Sequence, residues 1–456
     1  MKLTHHDLVE ALGIEPSLAL SGEIPGVSTD SRTLQPGEIF VVLWGENFDG
    51  HDYCEAAVER GASGLIISNP FVEEKFSGRL PVFLVEDTLD ALGNIAANWR
   101  ERFNPLMATI TGSCGKTTTK DMIAHVASRR FNTLYTQGNF NNRVGLPLTL
   151  FQLNKAHTHA MLELGMNMPG ELAALTRIAD PQGLVLTNIN VVHCGNFEAV
   201  EDIRDAKAEM FLNAPHAEWC VLNADCPHTP WLLDQVVPEH MRVITFGENP
   251  HADVRLESAT PLAPLGYAFT LRAGDQTTQG SLPLFGRANL LNAACAAAVL
   301  LQWGVPLQET LDALADFQPS KLRSTLIEAD GRRIIADCYN SSPVALADAL
   351  RSFAELETSG RRIAVLGDML ELGAESERFH REAGRLLNEL PIDALIAVGP
   401  HAHWIGEEFT GGTHYFDDSA SAAAEIKGFV SRGDLALIKG SRGMALERIV
   451  EALSAD

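Results

Sequence analysis

Short apolar runs, each closed by Gly, Pro, Asn or Asp, alternate with stretches of helical spacing along most of this chain. Residues 39–43, 64–68 and 81–85 are the first such runs, and the spacing predicts a helix over 53–60 between the first two. A longer helix is predicted over 89–103; it ends at Asn104-Pro105 and delivers the chain to the apolar run 106–110. Runs at 160–164 and 183–187 are nearly continuous in apolar residues, as in parallel strands covered on both faces. Between 253 and 284 the pattern changes to short alternating pieces, which predicts an antiparallel patch. The apolar stretch 290–305 carries Asn292 and Gln302 and is too short to span a bilayer, so a packed helix over 289–303 is expected. Beyond it, strand cores at 333–337, 363–366, 394–398, 414–416 and 435–438 each lead through a turn into a helix. Strands alternating with helices imply a doubly wound parallel sheet. No G-x-G-x-x-G follows the first of them, so a dinucleotide-binding unit is not expected there.

The fold class is therefore α/β, with about three domains in series for this length. Residues 1–86 form a small α/β unit, 87–316 a central parallel-sheet domain, and 317–456 a Rossmann-like domain.

The run Thr111-Gly112-Ser113-Cys114-Gly115-Lys116-Thr117-Thr118-Thr119-Lys120 adds chemistry to this frame. It follows the strand 106–110 and precedes a helical pattern over 121–128, the arrangement of a phosphate cradle. Glycines let backbone N–H groups close round phosphate oxygens, Lys116 can reach the outer phosphates, and the Thr117 hydroxyl can ligate Mg²⁺. Ile110 stands where the first Gly of the common motif falls, leaving a shorter T-G-x-x-G-K-T form. An ATP-type site is expected in the central domain.

Composition narrows the partners. With 35 basic against 59 acidic residues the net charge is −24, which disfavours nucleic acid and requires clustered cations for any polyanionic substrate. The 7 cysteines are scattered and form no C-x-x-C pair, as expected in a reducing cytoplasm. No leader-like apolar segment opens the sequence, and no membrane span is expected.

Three further residues stand out. Glu163 interrupts an apolar strand, where a carboxylate is costly unless paired or bound to metal. It is read either as the Mg²⁺ ligand at a strand end or as an edge residue facing water. His193 lies just past the run 183–187, where active-site loops of parallel sheets collect. Lys207 falls on the apolar stripe of a helix predicted over 199–212, with Ile203 and Met210. It is either a stem snorkelling to water or an amine of lowered pKa able to form a carbamate with CO₂.

Together these pieces resemble the Mur ligases, ATP-dependent amide-forming enzymes of peptidoglycan precursor synthesis. The matching segments span the chain: Asp30-Ser31-Arg32, Gly45 to His51, the T-G-S-C-G-K-T-T loop, Asn139 to Pro147, Glu163-Leu164-Gly165 and Ala206 to Glu209. In the last domain they are Asp337 to Pro343, Val365 to Gly373 and Lys439 to Met444. The V-L-G-D-M-x-E-L-G run favours the dipeptide-adding member. The alternative is a sibling that adds the third residue, diaminopimelate or lysine, although its D-N-P-R motif is absent.

The resemblance implies addition of D-alanyl-D-alanine to UDP-N-acetylmuramoyl-tripeptide through an acyl phosphate, with ATP, two Mg²⁺ ions and a carbamylated lysine, in a cytoplasmic enzyme expected to be a monomer. It implies that the first domain holds the UDP end through Ser31, Arg32 and Asn47. Asn139 and Asn142 would join Tyr339 and Asn340 in substrate binding. Lys116, Glu163, His193 and Lys207 would be catalytic, and Thr117, Glu163, His193 and carbamylated Lys207 would hold metal. ATP would lie against Thr111 to Thr118, with Asn289 and Asn292 facing adenine and Arg323 and Asp337 closing from the last domain. Three departures are visible: Ala288 where the family shows His, Leu322 where it shows Gly, and Ser342 where it shows a second Asn.

Overall fold

A computed structural model describes residues 1–45, 48–191, 195–197 and 199–455. The chain divides into two compact units. One comprises Met1–Ile110, Arg130–Leu184 and Glu209–Glu218; the other comprises Thr111–Arg129, Val185–Ala208 and Trp219–Asp456.

The first unit opens with the helix His5–Leu12, held at its start by a Thr4–Asp7 capping box and ended by Gly13 at φ +68°. Its sheet is parallel, ordered Val27–Ser28, Ile39–Val41, Gly64–Ile67, Val82–Leu84. Phe40, Leu65, Ile67 and Phe76 are buried together in its core. The helix expected over 53–60 is a 3₁₀ turn, Gly50–Tyr53, running into the helix Cys54–Glu59. Asp49 explains the early start, because its carboxylate accepts the His51 N–H and caps the turn. Asp87 caps the long helix Thr88–Arg100 in the same way. Three parallel strands follow in the order Thr133–Tyr135, His159–Glu163, Leu106–Thr111.

In the second unit the helix Lys116–Ala127 begins five residues earlier than its apolar spacing suggested. Gly115, at φ +84°, is the N-cap, so Lys116 and Thr117 form the first turn rather than the loop. The strands Trp219–Asn223 and Arg242–Gly247 are parallel. Val254–Pro261, Tyr267–Ala273 and Gln276–Leu282 form the expected antiparallel patch. The helix Ala288–Gln302 is buried over Ala293 to Leu300, as an all-apolar helix must be.

The C-terminal sheet runs Thr325–Ala329, Arg332–Ala336, Leu435–Lys439, Arg362–Gly367, Ala394–Val398, Gly412–Phe416. All neighbours are parallel except the first pair, a hairpin whose outer strand the sequence pattern did not reveal. That strand is only half-buried and carries no apolar alternation strong enough to mark it. Successive residues of the inner strands face opposite sides. Leu366, Ala397 and Leu437 enter one apolar layer, while Val365, Ile396 and Ile438 enter the other. Among the described residues, no helix is long and apolar enough to cross a membrane.

Candidate functional site

The loop 111–118 is shaped by two glycines at positive φ whose surroundings leave no room for a Cβ as they stand. Gly112 has φ +148°, and a Cβ there would lie 1.9 Å from Thr187 Oγ1. Gly115 has φ +84°, and its Cβ would meet Asn292 Oδ1 at 2.4 Å. The segment Thr187 to Asn190 straps the loop from behind. Ser113 N–H donates to the Asn188 carbonyl (3.0 Å) and Cys114 N–H to Asn188 Oδ1 (2.9 Å). The Thr187 hydroxyl donates to the Cys114 carbonyl at 2.5 Å. Asn188 was not singled out from sequence. A lone Asn after an apolar strand has no periodic signature, and its role appears only when the strand ends beside the loop.

Lys116 bends over the loop, its ammonium 2.6 Å from the Gly112 carbonyl. Thr117 is buried, and Ser113, Cys114 and Thr118 are half-buried. The buried Thr111 hydroxyl has no hydrogen-bond partner among the described residues. Cys114 Sγ lies 3.4 Å from the hydroxyl of Ser342, the residue at the departure from the family's second Asn.

Lys207, on the helix Val200–Leu212, is 2% exposed. Its amine does not reach water, so the snorkelling reading fails. Burial, reinforced by the Lys116 ammonium, pushes the amine down to about 7. A substantial share is therefore uncharged near neutrality, as carbamate formation requires.

Asn289 and Asn292 are linked, Asn292 Nδ2 donating to Asn289 Oδ1 at 2.9 Å. Asn289 in turn donates to the Phe285 carbonyl (2.7 Å), so much of its amide is engaged in the helix start. Arg323 stacks its guanidinium 3.9 Å from the Tyr339 ring centroid. It sits between two residues in the left-handed region, Leu322 at φ +65° and Ser324 at φ +53°. Leu322 thus occupies a conformation that suits the Gly it replaces.

Asp337 accepts from the Ser324 N–H (3.1 Å) and from buried Lys439 Nζ (2.6 Å). Lys439 also donates to the Asn340 carbonyl (3.2 Å). Lys439 belongs to the K-G-S-R-G run but had no assigned role; its partner lies 102 positions away. The exposed Asn340 bends its own side chain back to the Ser341 N–H.

In the first unit, Glu163 ends its strand 2% exposed, which excludes the water-facing reading. Asn141 Nδ2 donates to its Oε1 at 2.8 Å, and Thr136 Oγ1 accepts the Glu163 N–H at 2.9 Å. Asn142 Oδ1 accepts the Gly145 N–H at 2.8 Å, just ahead of the helix Gly145–Leu150, while Asn139 is exposed. Ser31 is buried. Arg32 grips Asp30 at 2.7 Å, and that ion pair holds the Asp30 carboxyl near 2. Asn47 and His193 lie outside the described residues. Among the described residues no cluster of three or more His, Cys, Asp or Glu forms a ready metal cage.

Three family models match in series. They are the Mur ligase family catalytic domain over residues 23–100, the Mur ligase middle domain over 110–300, and the Mur ligase glutamate ligase domain over 322–442. The chain is 34% identical over 444 residues to the UDP-N-acetylmuramoyl-tripeptide–D-alanyl-D-alanine ligase of Escherichia coli strain K12, covering 95% of this chain and 96% of that one. The chain belongs to the Mur ligase family. The Bacillus subtilis strain 168 ligase of the same name is 35% identical over 442 residues, with 94% and 93% covered. The crystal structure of MurF from Acinetobacter baumannii superposes on this Mur ligase with a TM-score of 0.91 at 30% identity, over 100% and 99% of the two chains. The MurF ligase of Thermotoga maritima in complex with ADP gives 0.83 at 28% identity, over 94% and 97%.

Proposed function

We propose that this Mur ligase joins D-alanyl-D-alanine to UDP-N-acetylmuramoyl-tripeptide at the expense of ATP. What carries the reading is correspondence over nearly the full length to ligases named for that reaction. The sibling reaction, addition of diaminopimelate or lysine, is not favoured.

The terminal tripeptide carboxylate attacks the γ-phosphorus of ATP; the new O–P bond forms as the bond to ADP breaks. The dipeptide amine then attacks the acyl carbon, phosphate leaves, and the amine proton passes to solvent or phosphate. Two anions meet in the first step, so Lys116 supplies charge where it develops in the transition state. Gly112 and Gly115 let loop N–H groups approach the phosphates closely. Asn289 and Asn292 brace the loop beside the adenine, and Arg323 with Asp337 engages the nucleotide from the last domain. Ser31, Arg32 and Asn47 take the UDP end; Asn139, Asn142, Tyr339 and Asn340 take the peptide parts.

Thr117, Glu163, His193 and carbamylated Lys207 offer hard oxygen and imidazole donors, a set that fits Mg²⁺. A buried amine lowered to about 7 fits carbamate chemistry. Mg²⁺, as two ions, would supply charge neutralisation between the reacting oxyanions. Residues 1–86, 87–316 and 317–456 are taken as the UDP-sugar, ATP and dipeptide domains, the last closing over the nucleotide. The enzyme is taken as a cytoplasmic monomer.

Phosphate release tests the reading. It is expected only with ATP, UDP-N-acetylmuramoyl-tripeptide and D-Ala-D-Ala together. Release without the dipeptide points to an ATPase, and release with the dipeptide precursor plus diaminopimelate or lysine points to the sibling.

A further inference from the structure

The run Val365 to Gly373, whose resemblance favours the dipeptide-adding member, has no chemical part in the reaction described above. In the structure it leaves the carboxyl end of the strand Arg362–Gly367, the edge where doubly wound sheets bind ligands. Its neighbour there is the strand Leu435–Lys439, with Leu366 paired to Lys439. The loop is fastened on that side, Leu370 N–H donating to Ser441 Oγ (2.9 Å) and Ser441 N–H to the Asp368 carbonyl (3.0 Å). On a third side, Gly195 N–H donates to the Glu371 carbonyl at 3.2 Å. Glu371 itself has φ +64°, a conformation a Glu adopts only when its surroundings impose it.

The start of the loop, at Met369, rests on a histidine. His380, on the helix Ser376–Asn388, is 0% exposed. Its Nδ1–H donates to the Ser376 carbonyl at 2.7 Å, and its Nε2 accepts the Met369 N–H at 2.9 Å. Those two partners fix both the tautomer and the charge: only a neutral ring protonated on Nδ1 satisfies them. Burial lowers the pKa in keeping with that; of the titratable groups around the ring, Asp368 favours protonation and His401 opposes it. A proton on Nε2 would set two N–H groups against each other and release Met369.

We propose that His380 is a positioning residue for the acceptor half of the reaction, clamping the Asp368–Glu371 loop as one wall of the dipeptide site. The inference rests on the reaction proposed above. The loop stands beside Lys439, whose ammonium bonds Asp337 and the Asn340 carbonyl, so it borders the residues assigned to the dipeptide. On another side the same loop is held by the Gly195 N–H.

The test has two arms. In steady-state kinetics, His380→Leu should raise KM for D-Ala-D-Ala about tenfold, with KM for ATP changed less than about threefold. His380→Gln, whose amide oxygen can still accept the Met369 N–H, should recover most of the loss. In the second arm, hydrogen exchange is measured on the unmodified protein from pH 7 to pH 5, corrected for intrinsic rates. Protection of the Met369–Leu372 segment should fall while the strand Arg362–Gly367 stays protected. An unchanged dipeptide KM in folded His380→Leu overturns the proposal. So does an equal rise in KM for ATP, or loop protection independent of pH. If His380→Leu does not fold, the exchange arm decides alone. Absence of dipeptide-dependent turnover in the unmodified enzyme defeats the reaction assignment instead, and leaves the exchange result to be read for the clamp itself.

Discussion

The Lys207 amine is driven towards its neutral form by burial and, after burial, by the ammonium of Lys116. The function proposed above gives these two lysines of one unit different tasks: Lys116 acts on phosphate, and Lys207, as the neutral amine that burial favours, takes up CO₂.

That division predicts the behaviour of Lys207→Ala. Turnover should collapse in the variant, because an anionic ligand disappears with the carbamate. Added acetate or formate should restore part of it, whereas Lys207→Arg should stay inactive because guanidinium forms no carbamate. Near-normal turnover of the Ala variant without acetate would refute the carbamate.

Lys116→Ala should leave the circular dichroism spectrum unchanged and lower the rate of acyl-phosphate formation by about 1000-fold, the usual cost of losing one oriented charge on the transition state. Trapping the acyl phosphate with hydroxylamine in a single turnover measures this. Retained trapping removes Lys116 from the mechanism.

Gly112→Ala tests the cradle without touching a charge. Its Cβ would fall on Thr187 Oγ1, so the loop must open and ATP affinity should drop about 100-fold. Calorimetric titration with a non-hydrolysable ATP analogue reads the change; an affinity within threefold of the parent protein contradicts the loop geometry.

Asp434 tests the last domain's stability. Burial alone would raise its pKa, but hydrogen bonds from Arg361 and from the Ser431 and Arg361 backbone outweigh it, and the carboxyl titrates below its usual range. A depressed carboxylate contributes stability that is present above the unfolded pKa and lost as pH falls through the folded one. Asp434→Asn should therefore cost about 2 kcal/mol at pH 7 in urea unfolding, the usual worth of hydrogen bonds to a charged group. The gap from the parent should narrow as pH falls below the ordinary carboxylate range and through the lowered pKa of the folded protein. A gap independent of pH would show that charge plays no part.

Features that rest on local chemistry were legible in the sequence. Gly112, Gly115 and Lys116 announced their loop because backbone freedom and a reaching cation are properties of neighbours in the chain. The stripe of Ile203, Lys207 and Met210 announced a lysine on an apolar face, and the alternation after residue 253 announced the antiparallel strands. Spacing could not say whether Lys207 and Glu163 reach water, because that depends on which elements cover them. Asn141 on Glu163, Asn188 on Cys114 and Lys439 on Asp337 escaped notice for a related reason. Each joins residues distant in the chain through one polar contact, and such contacts leave no period to read. His380 was silent as well, since a single buried histidine in an amphipathic helix looks like any other inward residue.

The backbone at Leu322 sets a rule for what this position can become. At φ +65° glycine bears no conformational cost, asparagine and aspartate a small one and other residues more, so a leucine gains only what its half-buried side chain recovers against the layer of Ile334 and Ile438. In a saturation library, glycine should score well here for want of any penalty, and large unbranched residues for their contacts. Valine and isoleucine, stiff at the first side-chain bond, should fare worst. Position 322 would then look permissive in a tally of tolerated letters, while its backbone shape admits almost no variation at all.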